Sequence, residues 1–417
     1  MRRLTQKRLL LMRETSFLRL NAPWLGAGAL LTFLSGFGQT YFISIFAGEI
    51  RTEFGLSNGQ WGGIYTLGTT ASALLMVWAG GLADRFRVRA LGASVLVLLT
   101  CACLFMSLSS VWLLPFVIFA LRFTGQGMTS HIAVVAMSRW FVATRGRALS
   151  IAALGFSVGE ALLPLIFVSL MVVFDWRVLW VFAAFISLLG VPLLMMLLRR
   201  ERQPMSVAQS NQSLGMEARH WTRAETLRHP LFWFMVPAIL GPAAFNTAFF
   251  FLQVNFAEIK GWAHVELVAM FPFYTAISVA SMMLSGWLLD RFGTKTLIPF
   301  YQLPMVAAFL CFAAADSPFM ALVGLTFLGM TTGANATLPN AFWAEFYGTA
   351  HIGAIKALAA AVMVFGSAIG PGLTGVLIDL GFGIEQQYVW VASYFVLTSL
   401  LVWIGVSRFK TRLTGIA

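Results

Sequence analysis

Arg122 and Glu160 are the two unambiguous charges set deep inside long apolar runs of this sequence. A charge in such a run is costly, so it faces protein or water and is a functional candidate by default. At about 1.5 Å per residue the two lie roughly 16 and 21 Å below one end of their helices, within one helical turn of each other. An acid beside a buried base stays charged, whereas burial without the base drives it neutral, and that conditional behaviour suits proton coupling. The plainer alternative is a permanent Arg122–Glu160 pair that joins two helices. His131 stands about half a turn out of phase with Arg122. On an ideal helix Arg122, Gln126 and Thr129 share one face, while Thr124, Met128 and His131 share the other. The Arg face is expected to line a cavity. His131 can titrate near neutral pH and is a second proton-coupling candidate, although a buried His also serves simply as a hydrogen-bond partner.

Other polar residues recur at helical spacing. Thr32, Ser35 and Gln39 share a face, as do Asn246 and Gln253, and Gln39-Thr40-Tyr41-Phe42 matches Asn246-Thr247-Ala248-Phe249. Thr331 and Asn335 share a face further on, and Tyr274 stands beside Pro272. Such residues bind a solute or link helices by hydrogen bonds. Gly155-Phe-Ser157-Val-Gly159 matches the nucleophile pattern of serine hydrolases, but that pattern needs a strand–turn–helix elbow and here lies in an apolar run. An intramembrane hydrolase using Ser157 is therefore a remote alternative, and no other catalytic constellation stands out. No phosphate-binding G-x-x-x-x-G-K-[ST] run occurs, so gradients would drive any solute movement. Cys101, Cys103 and Cys311 have no disulfide or metal spacing, and neither metal nor cofactor is expected.

The elements that must position these residues are membrane spans. The 417 residues are 59% hydrophobic and 11% charged, outside the range of soluble globules. Twelve stretches are long enough to cross a bilayer core: 23–48, 61–82, 90–109, 111–137, 148–174, 176–198, 231–256, 267–289, 296–315, 318–343, 357–378 and 388–406. The net charge of +12 could suggest nucleic acid, but the bases lie on one side. With the N-terminus inside, all but four of the 28 Lys and Arg fall in cytoplasmic segments; Arg51, Arg177 and Lys260 lie outside and Arg122 lies in a span. Both termini are then cytoplasmic, and nucleic acid is not a partner. The basic stretch 1–20 either lies on an anionic leaflet or only enforces orientation, and a cleaved signal peptide is disfavoured.

Short matches at offsets near two hundred divide the chain into two parallel halves. Gly127-Met-Thr-Ser130 pairs with Gly329-Met-Thr-Thr332, and Arg147-Ala-Leu with Lys356-Ala-Leu. The expected fold is an all-α membrane protein with twelve transmembrane helices in two pseudo-symmetric six-helix halves. The domains are 1–198 and 230–417, joined by a hydrophilic cytoplasmic linker over 199–229.

Two loops repeat one idea: Gly80-Gly-Leu-Ala-Asp84-Arg85-Phe-Arg87-Val-Arg89 and Gly286-Trp-Leu-Leu-Asp290-Arg291-Phe-Gly293-Thr-Lys295. This resembles the loop signature of the major facilitator superfamily between its second and third helices, with Arg87 where the family usually has Gly. Arg122-Phe-Thr-Gly125-Gln126-Gly127 resembles its helix-4 motif in part. Arg-Trp140-Phe-x-x-x-Arg145-Gly146-x-Ala148 looks like the bacterial monocarboxylate-carrier branch. The resemblance covers the whole chain and implies a secondary transporter in the bacterial inner membrane, working as a monomer by alternating access. Its expected substrate is a small organic anion such as a monocarboxylate, coupled to protons. Arg122 would attract the carboxylate, with Gln39, Tyr41, Asn246, Tyr274 and Asn335 around the solute, and Glu160, with His131, would carry the proton. Asp84, Arg85, Arg89, Arg139, Arg147, Asp290, Arg291 and Lys356 would form cytoplasmic gates. By pseudo-symmetry Asp84 approaches Lys356 and Asp290 approaches Arg147; otherwise Asp84 only tethers its own half, for example to Arg139. The rival within transport is an exporter of lipophilic compounds, weakened by Glu160 standing where exporters carry the Pro of G-x-x-x-G-P. A receptor on a carrier fold is a smaller possibility.

Overall fold

A computed structural model of the chain describes residues 2–141, 144–200 and 214–413. The side chains of 2–16 and of Asp84, and residues 201–213, lie outside the described residues, so the expectations placed on the basic tail, on Asp84 and on the middle of the linker are not addressed by it. The fold is all-α, without a strand among the described residues. We number the membrane helices α1 (Arg2–Leu34), α2 (Asn58–Ala79), α3 (Val88–Ser107), α4 (114–140), α5 (Arg145–Met171) and α6 (Trp176–Leu197), then α7 (Pro230–Phe251), α8 (Phe271–Phe292), α9 (Leu303–Ala313), α10 (Pro318–Tyr347), α11 (Ile352–Asp379) and α12 (Ile384–Phe409). In hydrocarbon every backbone polar group must be satisfied internally, which is why the apolar runs can only be helices. Proline opens α7, α8, α9 and α10 in the first turn, where its missing N–H costs nothing.

Nine helices among the described residues are long and apolar enough to cross a membrane. The other three fall short for local reasons. α2 carries Gly59, Gly62, Gly63 and Gly68 among hydroxyls, α4 is divided, and α9 is shortened by a turn before Leu303. Their exposed apolar residues, such as Trp78 and Phe116, suit a lipid environment.

Contacts group the chain into two compact units: Met1–Gln39, Ala71–Gly159 and Phe174–Ala208 form one, and Thr40–Thr70, Glu160–Val173 and Gln209–Ala417 form the other. In the first unit α1 and α4 meet back to back at Gly38 and Gly125. A Cβ on Gly38 would stand 2.7 Å from the Gly125 Cα and 2.2 Å from the Leu121 carbonyl oxygen, so only glycine fits. Both helices deform there. α1 gives way to a 3-10 turn over Ser35–Gly38 and breaks at the extended Gln39, and α4 opens into a π-helix over Arg122–Thr129. The uninterrupted first span expected over 23–48 is therefore two segments, because that contact leaves no room for a regular helix. The same unit ties α1 to α5 through the Thr32 hydroxyl, which donates to the Ala152 carbonyl at 2.5 Å.

In the second unit the segment 40–54 that follows α1, the first half of α2 and the last turns of α5 pack with the C-terminal helices. Phe42 meets Phe167 edge-on at 4.8 Å, Trp61 stacks on Phe251 at 5.7 Å, and the Ser44 hydroxyl donates to the Phe250 carbonyl at 2.6 Å. Phe249, Phe312, Phe309 and Tyr388 form an aromatic core beneath α7, α9 and α12. The second part of the linker is structured rather than merely hydrophilic. Met216 and Trp221 are buried, the Trp221 N–H donates to the Tyr347 carbonyl at 3.1 Å, and a capping box at Thr222 and Glu225 starts the helix Arg223–Arg228.

Candidate functional site

Glu160 lies midway along α5 and is half-buried. The Thr275 hydroxyl of α8 donates to its carboxylate at 3.4 Å. Tyr274 next to it donates to the Thr332 hydroxyl of α10 at 3.2 Å, and Thr332 in turn donates to the Leu328 carbonyl at 2.9 Å. The Asn246 side chain of α7 reaches the Tyr274 hydroxyl, and Glu160 acts electrostatically on both the Tyr41 and Tyr274 hydroxyls. Four residues singled out from the sequence thus come together: Tyr41, Glu160, Asn246 and Tyr274. An acid beside a hydroxyl donor can hold a proton or accept a hydrogen bond from a solute.

Asn335 faces the next layer. The Tyr301 hydroxyl donates to its Oδ1 at 3.3 Å and also to the Ala238 carbonyl at 3.3 Å. The Gln302 amide nitrogen donates to that same carbonyl and, at 2.9 Å, to the Tyr301 hydroxyl. Asn335 and Thr332 line a cavity of about 440 Å³ together with Lys356, Trp343, Ile239 and Met363 among others. The residue that shares the cavity with Asn335 is Thr332, three positions before it, while Thr331 is fully buried elsewhere. Thr331 and Thr332 stand four and three positions before Asn335, and spacings of three and four both keep residues on one helical face, so sequence could not choose between them.

Arg122 belongs to the other unit. It is 1% exposed, and its guanidinium donates to the Gly38 carbonyl at 3.1 Å. The break in α1 after Gly38 takes that carbonyl out of the helical ladder, and Arg122 is the donor that answers it. The π-helix also overturns the facial assignment made for α4. The Thr129 hydroxyl donates to the Thr124 carbonyl at 2.6 Å, so these two residues, expected on opposite faces, lie one above the other. The ideal 3.6-residue count does not hold through an i→i+5 segment. Gln39 is buried just beyond the break, and His131 is bound through Nε2 to the Gly80 carbonyl at 3.1 Å.

Asn246 and Gln253 do not share one helix face, because α7 ends at Phe251 and a new helix starts at Gln253. Gln253 is fully buried; its amide donates to the Ser44 hydroxyl at 2.8 Å, the Phe250 carbonyl at 2.9 Å and the Tyr41 carbonyl at 3.3 Å. Of the gating candidates, Arg139 donates to the Ala83 carbonyl at 3.1 Å and Arg89 is half-buried. Arg85, Arg147, Asp290, Arg291 and Lys356 are exposed, with the Arg291 guanidinium 5.5 Å from the Trp287 ring centre. Thr275 and Thr332 complete the site; of the two, only Thr332 stood in a sequence repeat, and only the place of Thr275 beside Tyr274 hinted at it.

Outside the spans, two groups are shifted. The Thr222 backbone N–H and hydroxyl hold the Glu225 carboxyl below its ordinary value. Burial, and then the Arg412 charge, lower the His229 imidazole.

The sequence profile of the Major Facilitator Superfamily matches residues 28–371 and 273–414. No curated protein sequence matches the chain. Among solved structures, it is similar to a bacterial homologue of the human lysosomal transporter Spinster, inward-facing and unoccupied, with 16% identity over 95% of this chain and 99% of that one and a TM-score of 0.69. The occupied form of that homologue gives 17% identity over 94% and 98% and a TM-score of 0.70. The nucleoside transporter NupG gives 16% identity over 93% and 98% and a TM-score of 0.68. At these identities the likeness is one of fold.

Proposed function

Because this chain belongs to the Major Facilitator Superfamily, we propose a specific cycle for it: proton-coupled alternating access carrying a small organic anion, a monocarboxylate in the simplest case. It is a multi-pass membrane transporter and not an enzyme, and Ser157 lies inside the unbroken helix α5 with no elbow to present it. The observation that carries the cycle is Glu160 of α5 accepting from Thr275 of α8, next to Tyr274, which donates to Thr332 of α10.

In this reading Glu160 is the proton site. Ionised, its carboxylate accepts from Thr275 and holds α5 to α8; protonated, it is a weaker acceptor and the contact loosens. Proton binding thereby changes the link between two helices, and the solute meets the same cluster through Asn246 and Tyr274. His131 is a subsidiary proton group in the same scheme. The lipophilic-exporter alternative keeps Glu160 in its role and reverses the solute flux; the apolar wall of Trp343, Met363 and Ile239 favours it. We place both termini in the cytoplasm from the one-sided distribution of its bases, and the protein in the bacterial inner membrane as a monomer from the resemblance of its motifs to the bacterial carrier branch.

The test is uptake of radiolabelled benzoate into proteoliposomes with an imposed pH gradient. Glu160→Gln mimics the protonated acid and is expected to abolish gradient-driven accumulation while exchange of benzoate across the membrane continues. Accumulation by the variant with undiminished dependence on the gradient removes Glu160 from coupling.

A further inference from the structure

A second cavity, of about 420 Å³, opens where the short helix Ala47–Phe54, the last turns of α5 and the segment 254–265 meet. Every residue that lines it belongs to the second compact unit. Its volume lies in the range of small-molecule sites, which are mostly apolar with a few placed polar groups. Val168 and Met171 of α5, Val254 and Trp262 supply the apolar wall, and the Trp262 ring is held edge-on against Phe256 at 5.7 Å. The charge has one sign: Glu49 and Glu258 line the cavity, and no Lys or Arg does. The two acids stand at matching places in the sequence, Phe46-Ala-Gly-Glu49-Ile50 and Phe256-Ala-Glu258-Ile259. Each sits on an eight-residue helix, Ala47–Phe54 or Gln253–Lys260, that ends on a left-handed glycine. Gly48 lets the two helices close up, since a Cβ there would meet Val254 Cγ1 at 3.2 Å and Glu258 Oε1 at 3.8 Å. Among the described residues neither carboxylate has an ion-pair or hydrogen-bond partner. Arg51 and Lys260, each two residues beyond an acid, do not line the cavity; Lys260 pairs with Glu385 and donates to the Ala313 carbonyl at 3.4 Å. His264 completes the polar edge. The Gln253 amide nitrogen donates to Ser44, Phe250 and Tyr41, so its Oε1 accepts from His264 Nε2 at 3.3 Å, and the neutral ring keeps Nδ1 as an acceptor.

We propose that this cavity is a binding site for an organic ammonium ion with an apolar body, separate from the acid at Glu160. Glu49 and Glu258 hold the ammonium between them, and Val168, Met171 and Trp262 receive the body. An ammonium has three donors and no acceptor, which matches an edge made of carboxylates and an imidazole acceptor. An anion is repelled by the same two acids. A bare metal ion does not fit either. Among the described residues no group of His, Cys, Asp and Glu converges closely enough to hold one, so the acids need an occupant with a body of its own. Val168, the lining residue of α5 nearest to Glu160 in sequence, lies eight positions from it, about 12 Å along the helix at 1.5 Å per residue. The inference goes beyond the transport reading, because its ligand is opposite in charge to the carried anion. An occupant that touches three elements at once favours the arrangement in which they meet.

The test uses the full-length protein in nanodiscs of zwitterionic lipid without any gradient, with empty nanodiscs as the lipid background. The probes, titrated by calorimetry, are 2-phenylethylamine, an ammonium at neutral pH, and its neutral isostere 2-phenylethanol. The amine is expected to bind the wild type about tenfold more tightly than the alcohol, as two partly screened charge contacts of about threefold each would give. Glu49→Gln and Glu258→Gln are each expected to lower amine affinity about threefold, and the double variant to remove the preference while alcohol binding stays unchanged. Trp262→Ala is expected to weaken both probes alike. If a Gln variant does not fold, the amine–alcohol comparison and Trp262→Ala decide the matter. Equal affinity for the two probes, binding of neither, or amine affinity indifferent to both acids overturns the site. Loss of the preference in Glu160→Gln, with Glu49 and Glu258 intact, would move the ammonium to the other acid and overturn it also. No outcome depends on proton coupling or on the anion, so this site and the transport reading fail separately.

Discussion

The carboxylate of Asp379, the last residue of α11, accepts the Gly59 backbone N–H at 2.8 Å and the Ser57 hydroxyl at 2.5 Å, so an acid from the end of one helix caps the beginning of α2. Both the unsatisfied N–H groups and the positive end of the helix dipole favour a carboxylate there. The two helices touch along glycine. A Cβ on Gly375 would stand 2.5 Å from the Asn58 carbonyl oxygen. The sequence pattern led us to look for acid-capped gates at Asp84 and Asp290, the turns that follow α2 and α8. The same device is found at the other end of α2, made by an acid that belongs to no loop signature.

Removing that cap should open the junction. Asp379→Ala is expected to cost about 1 kcal/mol, the usual effect of losing an N-cap side chain. Gly375→Ala should do more, because the added methyl meets backbone rather than a side chain that can swing away. Spin labels at the outer ends of α2 and α11, measured by pulsed electron resonance, are expected to show a longer distance population in both variants. Distance distributions identical to those of the wild type would show that the contact is not part of a gate.

Hydrophobicity made the spans legible, and α3, α5 and α6 lie close to where apolar runs place them. Glu160 was legible too, since an acid inside such a run stands out whatever surrounds it. Its partners were not. Thr275 and Thr332 are ordinary helix residues, and only the packing of α5, α8 and α10 brings them to the acid and to Tyr274. The π-helix at Arg122–Thr129 has no signature in hydropathy, yet it sets Thr129 over Thr124, two residues expected on opposite faces of α4. Asp379 sits at the end of a span, where an acid reads as surface. In each case the missing information is a contact between residues far apart in the chain.

Arg122→Gln bears on the bent region of α1. The substitution leaves the Gly38 carbonyl buried without its guanidinium donor, a loss of about 1–3 kcal/mol for an unsatisfied buried group. Lowered thermal stability is the expected result. Lost benzoate affinity at unchanged stability would instead assign Arg122 to the solute.

His229 makes a pH prediction. Its Nδ1 is hydrogen-bonded to the Tyr347 hydroxyl at 3.3 Å, its ring packs on Trp221 and Phe409, and Arg412, Glu217 and Arg219 are the charges around it. Burial and Arg412 lower its folded-state value, so the unfolded chain takes up a proton first as pH falls. The stability it contributes is complete above the unfolded value near 6.5 and is lost as pH falls through that value towards the folded one. The difference in melting temperature between wild type and His229→Gln is therefore expected to shrink as pH falls from 8 to 5. A difference that stays constant over that range would mean that the imidazole does not titrate between the two states.

The remaining prediction concerns the opposite end of α2 and α8. If Asp379 and Gly59 close one end, alternating access requires a second junction that closes when the first opens. By the pseudo-symmetry of the two loop signatures, Asp84 should then meet the start of α11 near Lys356, and Asp290 the start of α5 near Arg147. Each contact combines a helix N-terminus, worth about 0.3–1 kcal/mol, with a screened charge pair. Energies of that size can break in every cycle. In a background without Cys101, Cys103 and Cys311, cysteines at positions 84 and 356 should cross-link in the state opposite to the one joined at Asp379, and Asp379→Ala should raise the cross-linking rate. Cross-linking at one rate with and without the Asp379 substitution would mark the contact as a fixed brace, and the two junctions would not then alternate.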